Sequence, residues 1–158
     1  MLDRLDLQIL GALQENNQAS AQSLAGRIAL SPSAILRRIQ QYRETGVIAA
    51  DVSVLEPRAL GQWMSVLFLV KLEPGPQPVA AAFRAELGRA AQVQLCLEVS
   101  GGFDLAVLAV FPTLDAFNAF TDAHLAHRPD VRRFEVILVK RRLKFSTALP
   151  LPPIEAED

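Results

Sequence analysis

Residues 20–46 read SAQSLAGRIALSPSAILRRIQQYRETG, and this stretch decides the fold of the first third of the chain. It has the pattern of two short helices joined by a tight turn. Ser20 suits an N-cap, because its hydroxyl can accept a bond from a free amide of the first helical turn. Leu24, Ala25 and Ile28 then fall on one face at helical spacing. Ala29, Leu30 and Ser31 make the turn. Ser31 can cap the second helix, and Pro32 stands at its first position, where a missing N–H costs nothing. Ile35, Leu36, Ile39 and Tyr42 are expected as its buried stripe, and Gly46 stands where a left-handed C-cap belongs.

The outward face of that second helix is then Ser33, Ala34, Arg37, Arg38, Gln40, Gln41 and Arg43. Over the whole stretch Arg27, Arg37, Arg38 and Arg43 stand against Glu44, a balance of +3, whereas the whole chain carries −1. Arginine and glutamine can bond base edges in a major groove, and arginine and serine can hold phosphates. A basic face concentrated on the second helix of a helix-turn-helix is the footprint of a DNA reader. An ordinary antiparallel helix pair with a solvated basic face shares the pattern.

Upstream, residues 3–16 form a first helix with Asp3 as cap and Leu5, Ile9, Ala12 and Leu13 as its apolar stripe, closing the core under the pair. Downstream, Val47–Leu55 is apolar and β-branched enough for a short extended wing or linker strand. Glu56-Pro57-Arg58-Ala59-Leu60-Gly61 breaks the pattern and is the best domain boundary.

The composition sets outer limits. A chain of 158 residues is one domain or two small ones, and 51% hydrophobic content is enough to build cores. Near-neutral net charge argues against coating nucleic acid non-specifically, so DNA contact must come from a local patch. The single cysteine, Cys96, rules out an intrachain disulfide framework and fits a reducing compartment. No apolar run approaches the roughly 18 residues of a membrane span, and MLDRLDLQIL lacks a signal-peptide pattern. A soluble cytoplasmic protein with no membrane partner is expected.

Beyond residue 62 the pattern alternates between strand and helix. Met64–Leu72 is a nearly continuous apolar strand, expected to be buried on both faces or against a second copy of the chain. Pro78 opens a helix whose buried side is Val79, Ala82, Phe83 and Leu87. Val93–Ser100 alternates, with Val93, Leu95, Leu97 and Val99 facing one way. Gly101-Gly102 is a hairpin signal, and Phe103–Phe111 is its partner strand. Pro112 and Thr113 open a helix carrying Leu114, Phe117, Phe120 and Thr121, and Val131–Arg142 is the last strand. The order β-α-β-β-α-β is that of a ferredoxin-like sandwich. The fold class is therefore α+β, a three-helix winged helix-turn-helix followed by this sandwich. The expected divisions are 1–54, a linker at 55–62, 63–145, and a disordered tail at 146–158. The apolar, helix-free sheet face predicts self-association.

The stretches LDRLDLQIL at 2–10, SLAGRIALSPSAILRRI at 23–39, TGVI at 45–48, LEPRALG at 55–61 and VSGGFDL at 99–105 together resemble the Lrp/AsnC (leucine-responsive, feast/famine) family of prokaryotic transcription regulators, over roughly residues 2–145. The resemblance implies a DNA-binding dimer whose reading helices enter successive major grooves. It also implies assembly of dimers into larger rings, often octamers, and a small effector, usually an amino acid, bound near the loop between the second and third strands. Here that loop is Ser100, Gly101, Gly102, Phe103 and Asp104. Adjacent glycines expose amides to a carboxylate, and Asp104 could hold an ammonium group. A plain hairpin turn is the alternative.

Two positions depart from the family pattern. Ala29 stands where the turn often has glycine, and Tyr42-Arg43 replaces a frequent Leu-Glu.

The expected DNA contacts are Ser33, Ala34, Arg37, Arg38 and Gln41, with Arg27 on a phosphate and Ser31 as cap, phosphate contact or both. No catalytic residue, cofactor or metal is expected, since His124 and His127 have no partners at ligand spacing. Cys96 reads as a small core or interface residue rather than a redox switch. Lys140-Arg141-Arg142-Leu143-Lys144 reads as a solvated strand end or a contact to wrapped DNA. The alternative functions are a relative of this fold that has lost DNA binding and modulates oligomers or ligands, or an enzyme resembling the sirohaem decarboxylases.

Overall fold

The structure is a computed structural model and describes residues 2–152. The chain divides into two compact units. One holds residues 2–54 together with 144–152, and the other residues 55–143.

The first unit is built on three helices: α1 (Arg4–Glu15), α2 (Ala21–Ala25) and α3 (Pro32–Glu44). Each start is capped by the residue its sequence offers. Asp3 and Asp6 form a reciprocal capping box, while Ser20 accepts from the Ser23 amide and Ser31 from the Ala34 amide. Ile9, Leu24, Ile28, Ile35, Ile39 and Tyr42 form the core. Leu36 is not part of it. One helical step of about 100° from Ile35 turns its side chain off the core face, and it is 58% exposed. Gly46, just past the cap, takes φ +75°, the left-handed conformation that ends a helix cheaply only with glycine. Among the described residues every positive φ falls on glycine, so Ala29 carries no left-handed strain.

The expected wing does not form. Residues 47–56 pair with no strand, although Ile48 donates its amide to the Tyr42 carbonyl and Asp51 pairs with Arg43 at 2.8 Å. Disorder of the tail is also corrected in part. The Leu149 amide donates to Gln14 Oε1 at 2.6 Å, and Gln14 Nε2 donates back to the Leu149 carbonyl at 3.0 Å. Residues 153–158, expected to be disordered as well, lie outside the described residues.

The second unit opens on a 3-10 turn at Pro57–Leu60. It continues as β1 (Met64–Leu72), α4 (Gln77–Arg89), β2 (Val93–Glu98), β3 (Leu105–Phe111), α5 (Leu114–Thr121), a π-helical turn at Asp122–Ala126, and β4 (Val131–Leu138). The sheet order is β2-β3-β1-β4, antiparallel throughout. β1 alternates strictly: Val66, Phe68, Val70 and Leu72 point to the helices and are buried. Phe68 stacks on Phe117 at 5.9 Å, and Phe111 tilts against Phe120 at 5.2 Å, filling the space under α5.

Three expectations fail here for local reasons. The β2–β3 register shifts between Val93 and Leu95, so one extra residue reverses every later side chain of β2. Cys96 packs on the core, and Leu95 and Leu97 are 45% and 46% exposed on the other face. Val79, in the first turn of α4, and Ala82 stay exposed instead of joining Phe83 and Leu87 on the buried side. β4 ends at Leu138 rather than continuing to Arg142.

Candidate DNA-reading head and effector loop

On α3 the groups expected to meet DNA separate into two sets. Ser33, Arg37 and Gln41 are exposed, as are Arg27 after α2 and Ser31 at the cap, while Ala34 is half-buried. Ser31 Oγ also lies 3.1 Å from Ser33 Oγ. Arg38 faces the other way. Its Nη1 donates to Asp3 Oδ2 at 2.8 Å and to Asp6 Oδ1. Tyr42 donates its hydroxyl to the same Asp6 oxygen at 2.5 Å. The expected placement of Arg38 on the reading face is therefore corrected: it ties α3 to α1.

The electrostatics of this cluster are mutually supporting. Burial would raise the Asp6 carboxyl, but bonds from Tyr42, the Asp3 amide and Arg38 outweigh it and hold the group below its ordinary value. Burial and the Asp6 carboxylate push the Tyr42 phenol up, and the bonds to Asp3 and Asp6 hold the Arg38 proton more tightly. Asp3 at the cap of α1 and Asp6 in its first turn, with Arg38 and Tyr42 four apart on α3, were a readable signal for this network. Gln40 lies exposed on the outward face, as its position predicts, and bonds Glu44 at 2.8 Å.

The loop between β2 and β3 is also tightly organised. Val99 donates its amide to the Asp104 carbonyl, and Asp104 donates its own to Val70. Asp104 Oδ2 accepts from the Leu72 amide at 2.8 Å, and its Oδ1 pairs with Lys71 Nζ at 3.0 Å. Gly101 sits at φ +142°, a conformation costly for any other residue. Arg133 lies over the Phe103 ring at 4.8 Å. Ser100, Gly101 and Gly102 are exposed, so their backbone is open to a ligand. Asp104 is already engaged, which argues for bracing the loop rather than holding a ligand's ammonium group.

The Leu72 amide, and then Lys71, hold the Asp104 carboxyl below its ordinary range. A depressed carboxyl contributes stability above its unfolded value, about 4, and loses it as pH falls through the lower folded value. Protection of the Leu72 amide from hydrogen exchange should therefore stay flat from pH 8 to 5 and fall below about pH 4. In Asp104→Asn it should be weaker throughout and lack that acid limb.

Among the described residues no group of three or more His, Cys, Asp or Glu is arranged to hold a metal. His124 instead bonds Glu86 at 2.9 Å, next to the Arg128–Glu86 and Arg128–Asp130 pairs. Burial pushes the Cys96 thiol up, away from the thiolate a redox switch needs. No helix among the described residues is long and apolar enough to cross a membrane.

Residues 2–43 match the AsnC-type helix-turn-helix domain, and residues 65–149 match the Lrp/AsnC ligand-binding domain. The chain belongs to the Lrp/AsnC family. It is 30% identical to an uncharacterised helix-turn-helix-type transcriptional regulator of Sinorhizobium fredii, over 95% of this chain and 89% of that one. It is 28% identical to the leucine-responsive regulatory protein of Escherichia coli, over 94% and 90%. Among solved structures, the AsnC family regulator of Agrobacterium tumefaciens superposes with a TM-score of 0.84 at 28% identity, covering 94% of this chain and 97% of that one. A Neisseria meningitidis transcriptional regulator in complex with L-methionine gives the same TM-score and identity, over 95% and 97%. This Lrp/AsnC chain is accordingly a helix-turn-helix DNA-binding transcription regulator.

Proposed function

We propose that this regulator reads a specific operator through Ser33, Arg37 and Gln41, with Ala34 against the groove wall and Arg27 and Ser31 at phosphates. The observation that carries the reading is the division of the α3 arginines: Arg37 is exposed and Arg38 is bound to Asp3 and Asp6. The protein works as a homodimer, or as an octamer-like assembly of dimers, which sets the spacing between heads. An amino-acid effector binds at the Ser100–Asp104 loop and favours one arrangement of dimers over another. The L-methionine complex of the Neisseria meningitidis relative supports this chemistry.

The test is a mobility shift, across a salt series, on the DNA upstream of the protein's own gene. Specific binding should outcompete random DNA and weaken as salt rises. Arg37→Ala should weaken it by about 1–3 kcal/mol, roughly 5- to 150-fold, without changing oligomeric state. Normal operator binding by Arg37→Ala would displace the reading face. Sedimentation with each amino acid in turn tests the effector; an unchanged assembly and DNA affinity with all of them would remove it.

A further inference from the structure

The loop between β2 and β3 offers an anion two separate places. The first is its own backbone. Among the described residues the amides of Ser100, Gly101, Gly102 and Phe103 donate to no protein group, because the loop is closed by the bonds of Val99 and Asp104 on either side. Ser100, Gly101 and Gly102 are exposed, so the chain does not cover those amides. Successive open amides make a cradle for a carboxylate.

The second place is Arg133. Its guanidinium lies over the Phe103 ring at 4.8 Å, so the ring holds it beside the loop and sets it apart from the loop backbone. Across the sheet Arg133 stands directly opposite Lys71. β1 buries Val70 and Leu72 on the helix side, which puts Lys71 and Arg133 together on the helix-free side. Like charges directly opposite one another weaken a strand pair. Asp104 answers Lys71 at 3.0 Å and gives its other oxygen to the Leu72 amide. Among the described residues Arg133 has no ion pair, and Glu135, the one acid of β4, does not bond to it. Arg133 is thus an exposed cation, held in place and without a counter-charge, at the rim of the loop.

We propose that the effector carries two carboxylates, one held by the loop amides and the other by Arg133, with the Phe103 ring between them. The inference rests on the reading of Ser100–Asp104 as the effector loop and names the ligand class, a dicarboxylic amino acid or the matching 2-oxo dicarboxylate. An effector with a single carboxylate fills only the first place and leaves Arg133 facing Lys71 uncompensated. Arg133 therefore sets specificity, and the loop sets binding.

The experiment is calorimetric titration of the full chain and of Arg133→Gln with L-glutamate, L-aspartate, 2-oxoglutarate, L-glutamine, L-asparagine and L-methionine. A dicarboxylate should bind the wild type at least tenfold tighter than its neutral amide counterpart, and the gap should narrow as salt rises. Arg133→Gln should bring that gap within about twofold while leaving the affinity for the neutral amino acids unchanged. Arg133→Lys should recover part of it. The ratio of 2-oxoglutarate to L-glutamate affinity tells which of the two sources is preferred. Glutamine or methionine binding as tightly as the dicarboxylates overturns the inference and leaves the effector loop standing. So does a dicarboxylate preference that survives Arg133→Gln, or a change of sedimentation in Arg133→Gln without any change in ligand affinity. Absence of binding by all six probes and by the remaining amino acids overturns the effector-loop reading and this inference together.

Discussion

Asp6→Ala should destabilise the reading head by about 2–4 kcal/mol, the range for stripping one partner from a largely buried charged network. Asp6 is only 8% exposed, yet it accepts from the Tyr42 hydroxyl, the Arg38 guanidinium and the Asp3 amide. Removing its carboxylate leaves the buried Tyr42 hydroxyl without its acceptor. It also leaves Arg38 with Asp3 alone and opens one side of the α1 capping box. Tyr42→Phe removes a single donor and should cost about 1–1.5 kcal/mol. Because the Asp6 carboxyl is held below its ordinary value, its contribution is present above about pH 4 and is lost as pH falls through the folded value. Calorimetry of the full chain at pH 7 and at pH 3.5 should show the gap between wild type and Asp6→Ala shrinking at the lower pH.

The same network separates two arginines that sequence alone makes equivalent. Arg37→Ala should lose DNA affinity at unchanged stability, while Arg38→Ala should lower the melting temperature of the head. If Arg38→Ala melts like wild type and loses operator binding as steeply as Arg37→Ala, Arg38 leaves Asp3 and Asp6 to read DNA, and the assignment of Arg38 as a tie between helices is wrong.

What was legible in the sequence had short-range causes. Caps and turn residues act within one helical turn, which is why Ser20, Ser31, Pro32 and Gly46 could be placed from the chain alone. The β-α-β-β-α-β order followed from period changes between proline and glycine breaks, and the four strands pair accordingly. What stayed hidden depends on partners far away in the chain. Arg38 looks outward by composition, but Asp3 and Asp6, more than thirty residues earlier, claim it. Leu36 looks buried by residue type, but a stripe one residue too wide runs past the core face. The side reversal in β2 depends on a register shift against β3 that alternation within β2 cannot reveal. At the candidate effector loop the glycines were readable, whereas the engagement of Asp104 by Lys71 and the Leu72 amide depends on β1 lying beside the loop.

Leu67→Asp should raise the dissociation constant of the proposed dimer by about 100-fold or more, equivalent to about 2.7 kcal/mol or more. On the helix-free sheet face Leu67 stands between Leu108 of β3 and Ile137 of β4. Leu69, Leu95 and Leu97 continue that face across β1 and β2. Such a sheet face is apolar where a solvated one would alternate to polar residues, so covering it with a second copy removes apolar surface on both sides. In a two-fold contact one substitution enters twice, and each copy must either bury an unpaired carboxylate or lose the contact around it. Aspartate at Leu114, which is 63% exposed at the start of α5 on the helix side, should leave the dimer intact. Sedimentation of the two variants distinguishes the faces: a dimer that survives Leu67→Asp but fails with Leu114→Asp would move the interface from the sheet to the helices. Operator affinity should fall with Leu67→Asp although every α3 contact is untouched, because two heads held at fixed spacing bind the second half-site intramolecularly and a lone head does not.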